Sequence, residues 1–168
     1  MSEPVASQVS GEAQDGVLVD TTVLVVDDNE QNRELLSAYL EELGCQVTHA
    51  VDGAAAIASM EASPPDLVLL DVMMPRMSGF QVCEWMKSRE PTKGVPVIVV
   101  TALNEVGDVE RAVDAGADDF LTKPVNRLEL VVRVRSLLRV GQLQRRLDDA
   151  ERAVDALRAG RARGADGA

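Results

Sequence analysis

The chain has 168 residues, a formal net charge of −11 and a sequence pI near 4.5. A chain of this length buries about 70% of the surface its unfolded form exposes, so one domain with a real core fits, and its acidity argues against non-specific nucleic-acid binding by the main body. No apolar run approaches the roughly 18–20 residues that cross a bilayer, and residues 1–20 lack the basic start and apolar centre of a signal peptide; a soluble, cytoplasmic protein without a membrane partner is expected.

The charge is unevenly placed. Residues 1–126 hold 7 Lys/Arg against 22 Asp/Glu, a net −15, whereas residues 127–168 hold 10 against 6, a net +4. The acids interspersed in that basic tail suit a solvated helix face better than an acidic partner. Cys45 and Cys83 have no second pair with which to build a metal site and read as free thiols in a reducing compartment.

Residues 1–21 are rich in Ser, Glu, Gln and Gly without periodicity and read as a disordered leader. Val23-Leu24-Val25-Val26 is a first strand ending in Asp27-Asp28. Asn29 is a good N-cap for a helix whose apolar positions, Leu35, Leu36, Tyr39, Leu40 and Leu43, fall at helical spacing and which Gly44 ends. Gln46 to His49 makes a short second strand. Asp52-Gly53 opens an alanine-rich helix with Ile57 and Met60 on its inner face, and Pro64-Pro65 stops it.

Four consecutive apolar residues, Leu67 to Leu70, then read as a strand buried on both faces, ending on Asp71. Pro75, Ser78 and Gly79 mark a loop before a third helix from Gly79 to about Ser88. Gly94 and Pro96 lead into a fourth strand, Val97 to Val100, which ends in Thr101-Ala102. A polar loop, Asn104 to Gly107, precedes a fourth helix from about Asp108 to Ala115, and a fifth strand, Asp119 to Thr122, ends in Lys123-Pro124. A last helix runs from Asn126 to about Leu157, with a disordered tail over 159–168. Five strand–helix repeats predict an α/β fold: a parallel sheet, doubly wound, with helices on both faces.

In such sheets the carboxyl ends of the strands open onto the crevice where ligands bind. Asp27, Asp28, Asp71, Thr101 and Lys123 all fall at strand ends. Three carboxylates a few ångströms apart disfavour joint ionisation, so at least one carries a raised pKa unless a cation intervenes. With no His or Cys ligand set, the fitting cation is hard and oxygen-loving, and Mg2+ suits it best. An acid beside that metal and a lysine is a nucleophile for phosphorus: Asp71 attacks to give an acyl phosphate, while Lys123 and Thr101 engage the phosphoryl oxygens.

At these residues the chain resembles the receiver domain of bacterial two-component response regulators, of the CheY-like (flavodoxin-like) fold. The resemblance covers about residues 22–140 and rests on Asp27-Asp28, Leu70-Asp71-Val72-Met73-Met74-Pro75 with Gly79, Thr101-Ala102 and Lys123-Pro124. It implies a five-stranded sheet of order 2-1-3-4-5 and Asp71 as phosphoacceptor. Asp28 and Asp71 would bind Mg2+, Asp27 would assist through water, and Met73 would offer its backbone carbonyl. It implies Thr101 and Phe120 as switch residues that alter the face formed by the fourth predicted helix, the fifth strand and the last helix. The implied phosphodonor is a sensor histidine kinase or phosphotransfer protein, and the implied use of the face is dimerisation or partner binding, with no direct nucleic-acid contact. The receivers of cyclic-dinucleotide regulators are the most similar in character.

Two positions that tune phosphoryl lifetime in that family are Met73 and Leu103 here; both are apolar, so slow self-dephosphorylation is expected. Past the receiver, over 141–158, Leu143, Leu147, Ala150, Val154 and Leu157 recur at alternating four- and three-residue steps, the seam of a short coiled coil that would make a parallel homodimer, with Gly141 interrupting upstream and a fraying monomeric helix as the other reading. A phospho-independent scaffold on the same fold is the alternative function. An aspartyl-phosphate hydrolase would need a second acid two residues after Asp71, where Met73 stands. His49, Trp85, Met86 and Arg76 read as packing or rim residues.

Overall fold

The computed structural model describes residues 18, 20–102 and 106–165, with backbone only at Val106, Gly164 and Ala165. In chain order the elements are β1 (Thr22–Val26), α1 (Glu30–Glu41), β2 (Gln46–Ala50), α2 (Gly53–Ala62), β3 (Leu67–Asp71), α3 (Gly79–Lys87), α4 (Glu90–Lys93), β4 (Val97–Thr101), α5 (Val106–Asp114), β5 (Asp119–Thr122) and α6 (Arg127–Ala165). The strands form one parallel sheet of order β2-β1-β3-β4-β5. This is the 2-1-3-4-5 order expected of the CheY-like fold.

The apolar runs explain the layering. Every residue of β3 and β4 is buried, because successive side chains alternate between two covered faces. Leu24, Val26, Val68, Leu70, Val97 and Val99 point into a core layer with α2, α3 and α5. Val23, Val25, Leu67, Leu69, Ile98 and Val100 point into the other, with α1 and α6. Each fully buried Leu or Val in these layers contributes about 1.5–3 kcal/mol relative to exposure, so the two sheet faces supply most of the stabilisation.

Local signals set the helix starts. Asn29 accepts a hydrogen bond from Asn32 N–H, Asp52 caps α2 through Ala55 N–H, and Ser78 and Gln81 form a reciprocal capping box on α3. At the amino-terminal edge of the sheet, Asp66 accepts from Thr22 N–H at 2.9 Å. Nearby, Lys87 donates to the Val95 carbonyl and to Asp118, which itself accepts from Val97 N–H. These polar ties hold the strand starts in register, far from the acidic strand ends.

Several expectations are corrected. The short helix α4 lies between Ser88 and Gly94, where the sequence reading assigned no element; Pro91 in its first turn, an accepted place for proline, and Thr92 Oγ1 donating to the Met86 carbonyl at 2.8 Å hold it. The inner face of α2 is Gly53, Ala56 and Met60, with Ile57 only half-buried. Leu35 is exposed, so α1 packs through Leu36 and Leu40. Helix α6 continues through Gly141 and reaches Ala165, beyond the Leu157 expected. Leu18, inside the stretch read as a leader, is buried in the second core layer. Asn104 and Glu105 of the expected polar loop, Leu103, and residues 1–17, 19 and 166–168 lie outside the described residues, while Val106 and Gly107 begin α5. No helix among the described residues is long and apolar enough to cross a membrane.

Gly79 couples the fold to the strand end that matters most. A Cβ built there would lie 2.2 Å from the Asp71 carbonyl oxygen, and Gly79 N–H donates to the Val72 carbonyl at 3.0 Å. Backbone faces backbone, so no side-chain movement relieves the clash. Gly79→Ala should therefore destabilise the fold by about 1–3 kcal/mol, read as a lower urea midpoint with an unchanged m-value; wild-type stability in that variant would show that the α3 start moves freely.

Candidate functional site

Three adjacent strands and β5 deliver the site. Asp27 follows β1, Asp71 ends β3, Thr101 ends β4 and Lys123 follows β5. Each position is tied to its neighbour by main-chain hydrogen bonds: Asp27 N–H to the Ala50 carbonyl at 3.2 Å, Val72 N–H to Val100 at 3.1 Å, and Lys123 N–H to Thr101 at 2.8 Å. The side chains are thus aimed by the sheet and not by a mobile loop.

Lys123 Nζ lies 3.1 Å from Asp27 Oδ2 and 3.2 Å from Asp71 Oδ1. Asp27 is 1% and Asp71 3% exposed. Asp28 is exposed at the mouth, and the carboxylates of Asp27, Asp28 and Asp71 each offer an oxygen within 4.8 Å of the others. Asn29 N–H donates to Asp27 Oδ1 at 2.8 Å, and Met73 N–H to Asp71 Oδ1 at 3.3 Å. The ammonium of Lys123 and the Met73 N–H both fall on Asp71 Oδ1.

Burial raises the Asp71 pKa above the ordinary carboxylate value, and the nearby negative charge of Asp27 adds to this; Lys123 and the Met73 N–H oppose it without cancelling it. Burial pulls Lys123 down, but its hydrogen bond to Asp27 and the charges of Asp71 and Asp27 outweigh this, so its pKa lies above the ordinary lysine value. One ammonium serving two buried acids is an under-neutralised site. Three hard oxygen donors this close fit a small divalent cation such as Mg2+, which takes one or two carboxylates and keeps several waters.

Of the residues singled out in the sequence, Asp27, Asp28, Asp71 and Lys123 come together directly. Thr101 is buried at the neighbouring strand end, with its carbonyl held by Lys123 N–H. The Met73 side chain is exposed beside the site. Phe120 is half-buried on β5 and packs against the first core layer. Arg76, at φ 69°, pairs with Asp52 at 3.2 Å. His49 Nε2 and Ser37 Oγ share a hydrogen bond at 2.6 Å, away from the acids. The peptide bond Lys123–Pro124 is cis.

Two site neighbours were not read from the sequence. Arg33 Nη1 donates to the Asp27 carbonyl at 2.8 Å; its position in the first turns of α1, one turn past the cap, is the signal that could have found it. The Arg111 guanidinium lies 4.5 Å from the Phe80 ring centre and lines the cleft shared with Asp28 and Met73. That pairing joins α5 to α3 across the site and leaves no local pattern.

A crossed-over parallel sheet with an acid pocket at its carboxyl edge is the CheY-like arrangement. The profile of the response regulator receiver domain matches residues 23–135, and the chain belongs to that family. It is 47% identical over 117 residues to the response regulator PleD of Caulobacter vibrioides, an alignment covering 70% of this chain and 26% of PleD. It is 42% identical over 117 residues to the DNA-binding dual master transcriptional regulator RpaA of a Synechocystis species, covering 70% of this chain and 48% of RpaA. Among solved structures it is similar to the receiver domain of a signal transduction histidine kinase from Syntrophus aciditrophicus, at TM-score 0.67 and 38% identity over 70% of this chain and 89% of that one. The chain thus spans from about a quarter to about half the length of these curated relatives. Receiver-domain response regulators are signalling proteins phosphorylated by histidine kinases, and they generally bind Mg2+ at an acidic pocket.

The raised Asp71 pKa has a sign that can be tested. The folded state holds that proton more tightly than the unfolded chain, so Asp71 favours folding below the unfolded carboxyl value and loses this contribution as pH rises through its folded value. In EDTA at pH 7, Asp71→Asn should therefore be more stable than wild type to urea, and the difference should vanish below about pH 3.9. A variant less stable than wild type at pH 7 would mean that the ammonium outweighs burial.

Proposed function

We propose that the chain accepts a phosphoryl group on Asp71 from a sensor histidine kinase or phosphotransfer protein, with Mg2+ as cofactor, and acts in the cytoplasm through residues 22–140. The observation that carries the reading is Lys123 bridging two buried carboxylates at the strand ends, one of them Asp71. Asp71 Oδ2 forms the P–O bond as the P–N bond to the donor imidazole breaks; the imidazole nitrogen keeps the electron pair and takes a proton. Asp28, Asp71, the Met73 carbonyl and, through water, Asp27 would hold the metal, which supplies countercharge to the phosphoryl oxygens.

Lys123 then exchanges part of its interaction with Asp71 for a phosphoryl oxygen, and the Thr101 hydroxyl donates to another. The added charge of about −1.5 to −2 biases Thr101 and Phe120, and with them the face made by α5, β5 and α6. Exposed Val109, Val113, Leu128 and Val132 on α5 and α6 supply apolar surface for a homodimer or a partner there, with the α6 extension as a second contact. The net −15 of residues 1–126 favours a protein partner over direct contact with nucleic acid. A phospho-independent scaffold has no use for two buried, under-neutralised acids, which cost stability.

The full chain incubated with acetyl phosphate and Mg2+ should gain one phosphoryl group by intact mass, and none in EDTA or as Asp71→Asn. Phosphorylation surviving in Asp71→Asn would move the acceptor elsewhere. With apolar Met73 unable to orient a hydrolytic water, the phosphoryl group should persist for minutes or longer, and Met73→Asn should shorten its life several-fold. A wild-type half-life of seconds would contradict the role assigned to that position.

A further inference from the structure

Leu138 is the last fully buried residue of α6, yet the helix continues to Ala165. Two stripes run along this continuation. Leu138, Gly141, Gln144, Arg145 and Asp148 line a groove against the chain's own Pro64–Asp66 and Val95–Pro96 segments, and Arg145 pairs with Asp66 at 2.9 Å. Val140, Leu143, Leu147, Ala150, Val154 and Leu157 are exposed. At 100° per residue the two stripes are centred about 150° apart, so the domain sits behind the helix and the apolar stripe faces away from it. Gly141 belongs to the domain-facing stripe and does not interrupt the other.

We propose that residues 140–157 form a parallel, in-register, two-stranded coiled coil with a second copy of this chain, in which Arg146 of each chain pairs with Glu151 of the other. The heptad places Val140, Leu147 and Val154 at a, and Leu143, Ala150 and Leu157 at d. In a parallel coil, valine at a with leucine at two of the three d positions favours two strands. Arg146 then falls at g and Glu151 at the following e, the two positions that face each other between parallel chains. An antiparallel pairing would instead set g against g. Three arginines of the extension pair within the chain: Arg145 with Asp66, Arg152 with Asp149 and Arg158 with Asp155. No ion pair among the described residues uses Arg146 or Glu151. An unpacked helix end of this length is marginal in water, and the second chain covers the stripe that the domain cannot reach.

This inference rests on the dimer in the reading above and not on the chemistry of Asp71. The test uses the full chain with Mg2+, with and without beryllofluoride, followed by light scattering, and oxidises Val140→Cys and Leu157→Cys; the natural cysteines are buried. Each variant should crosslink to itself. Arg146→Glu or Glu151→Arg alone should weaken self-association about tenfold at unchanged helicity, and the double variant, or an equimolar mixture of the two singles, should restore it. A monomer in both conditions overturns the coil together with the dimer. A dimer with no self-crosslink, or one that crosslinks only when the Val140→Cys and Leu157→Cys variants are mixed, overturns the parallel register and leaves dimerisation standing. Phosphorylation read by intact mass in the same variants keeps the Asp71 reading separate from all of these outcomes.

Discussion

One ammonium held between two buried carboxylates is the constraint from which the rest of the structure follows. Removing a charge from water costs several kcal/mol per ion unless it is paired, and Asp27, Asp71 and Lys123 are affordable only because the sheet delivers all three to one point. Asp27 and Asp71 stand on adjacent strands, while Lys123 reaches back from beyond β4. The pairing order of the strands is therefore a condition for the charges to balance, and the charges balance incompletely. The shortfall marks the place as one that gains from a further cation or from a ligand with oxygens of its own to share.

The neighbourhood is built to keep those groups still. Strand ends are tied laterally by main-chain hydrogen bonds, and Asn29 both caps α1 and supplies an N–H to Asp27. Gly79 lets α3 begin against the carbonyl of Asp71 itself, so the helix start and the acid move as one body. Polar ties at the far edge, through Asp66 and Asp118, fix the strand starts. The exposed apolar residues of α5 and α6 lie outside these ties.

Much of this was legible in the chain. The apolar runs of β1, β3 and β4 read as strands, that of β3 as one covered on both faces, and the Asn29 and Asp52 caps were visible because capping is a local interaction. The convergence of Asp27, Asp28, Asp71 and Lys123 followed from their places at strand ends. What escaped depended on contacts between distant segments. The closeness of Gly79 to Asp71, and of Arg111 to Phe80, has no signature along the sequence. Four-residue α4 is too short for any periodicity to show. On α2, Ala56 and Ile57 are both apolar, and only packing against the sheet decides which one turns inward. The end of α6 was misplaced because alanine and arginine, which fill its last turns, are strong helix formers that look like a frayed tail when glycines are scattered among them.

Asp66 gives the molecule an unusual mechanical property. One carboxylate oxygen holds the start of β1 and the other holds Arg145 on the outgoing helix, so the rod is fastened to the sheet at a second point beyond its buried root. From Arg145 to Ala165 the helix is about 30 Å long at 1.5 Å per residue. A tilt of about 10° at that clasp sweeps its far end through about 5 Å, a displacement comparable to a full helical turn. An ångström-scale adjustment at the clasp thus becomes, at the distal end of the helix, a change of position large enough to make or break a contact.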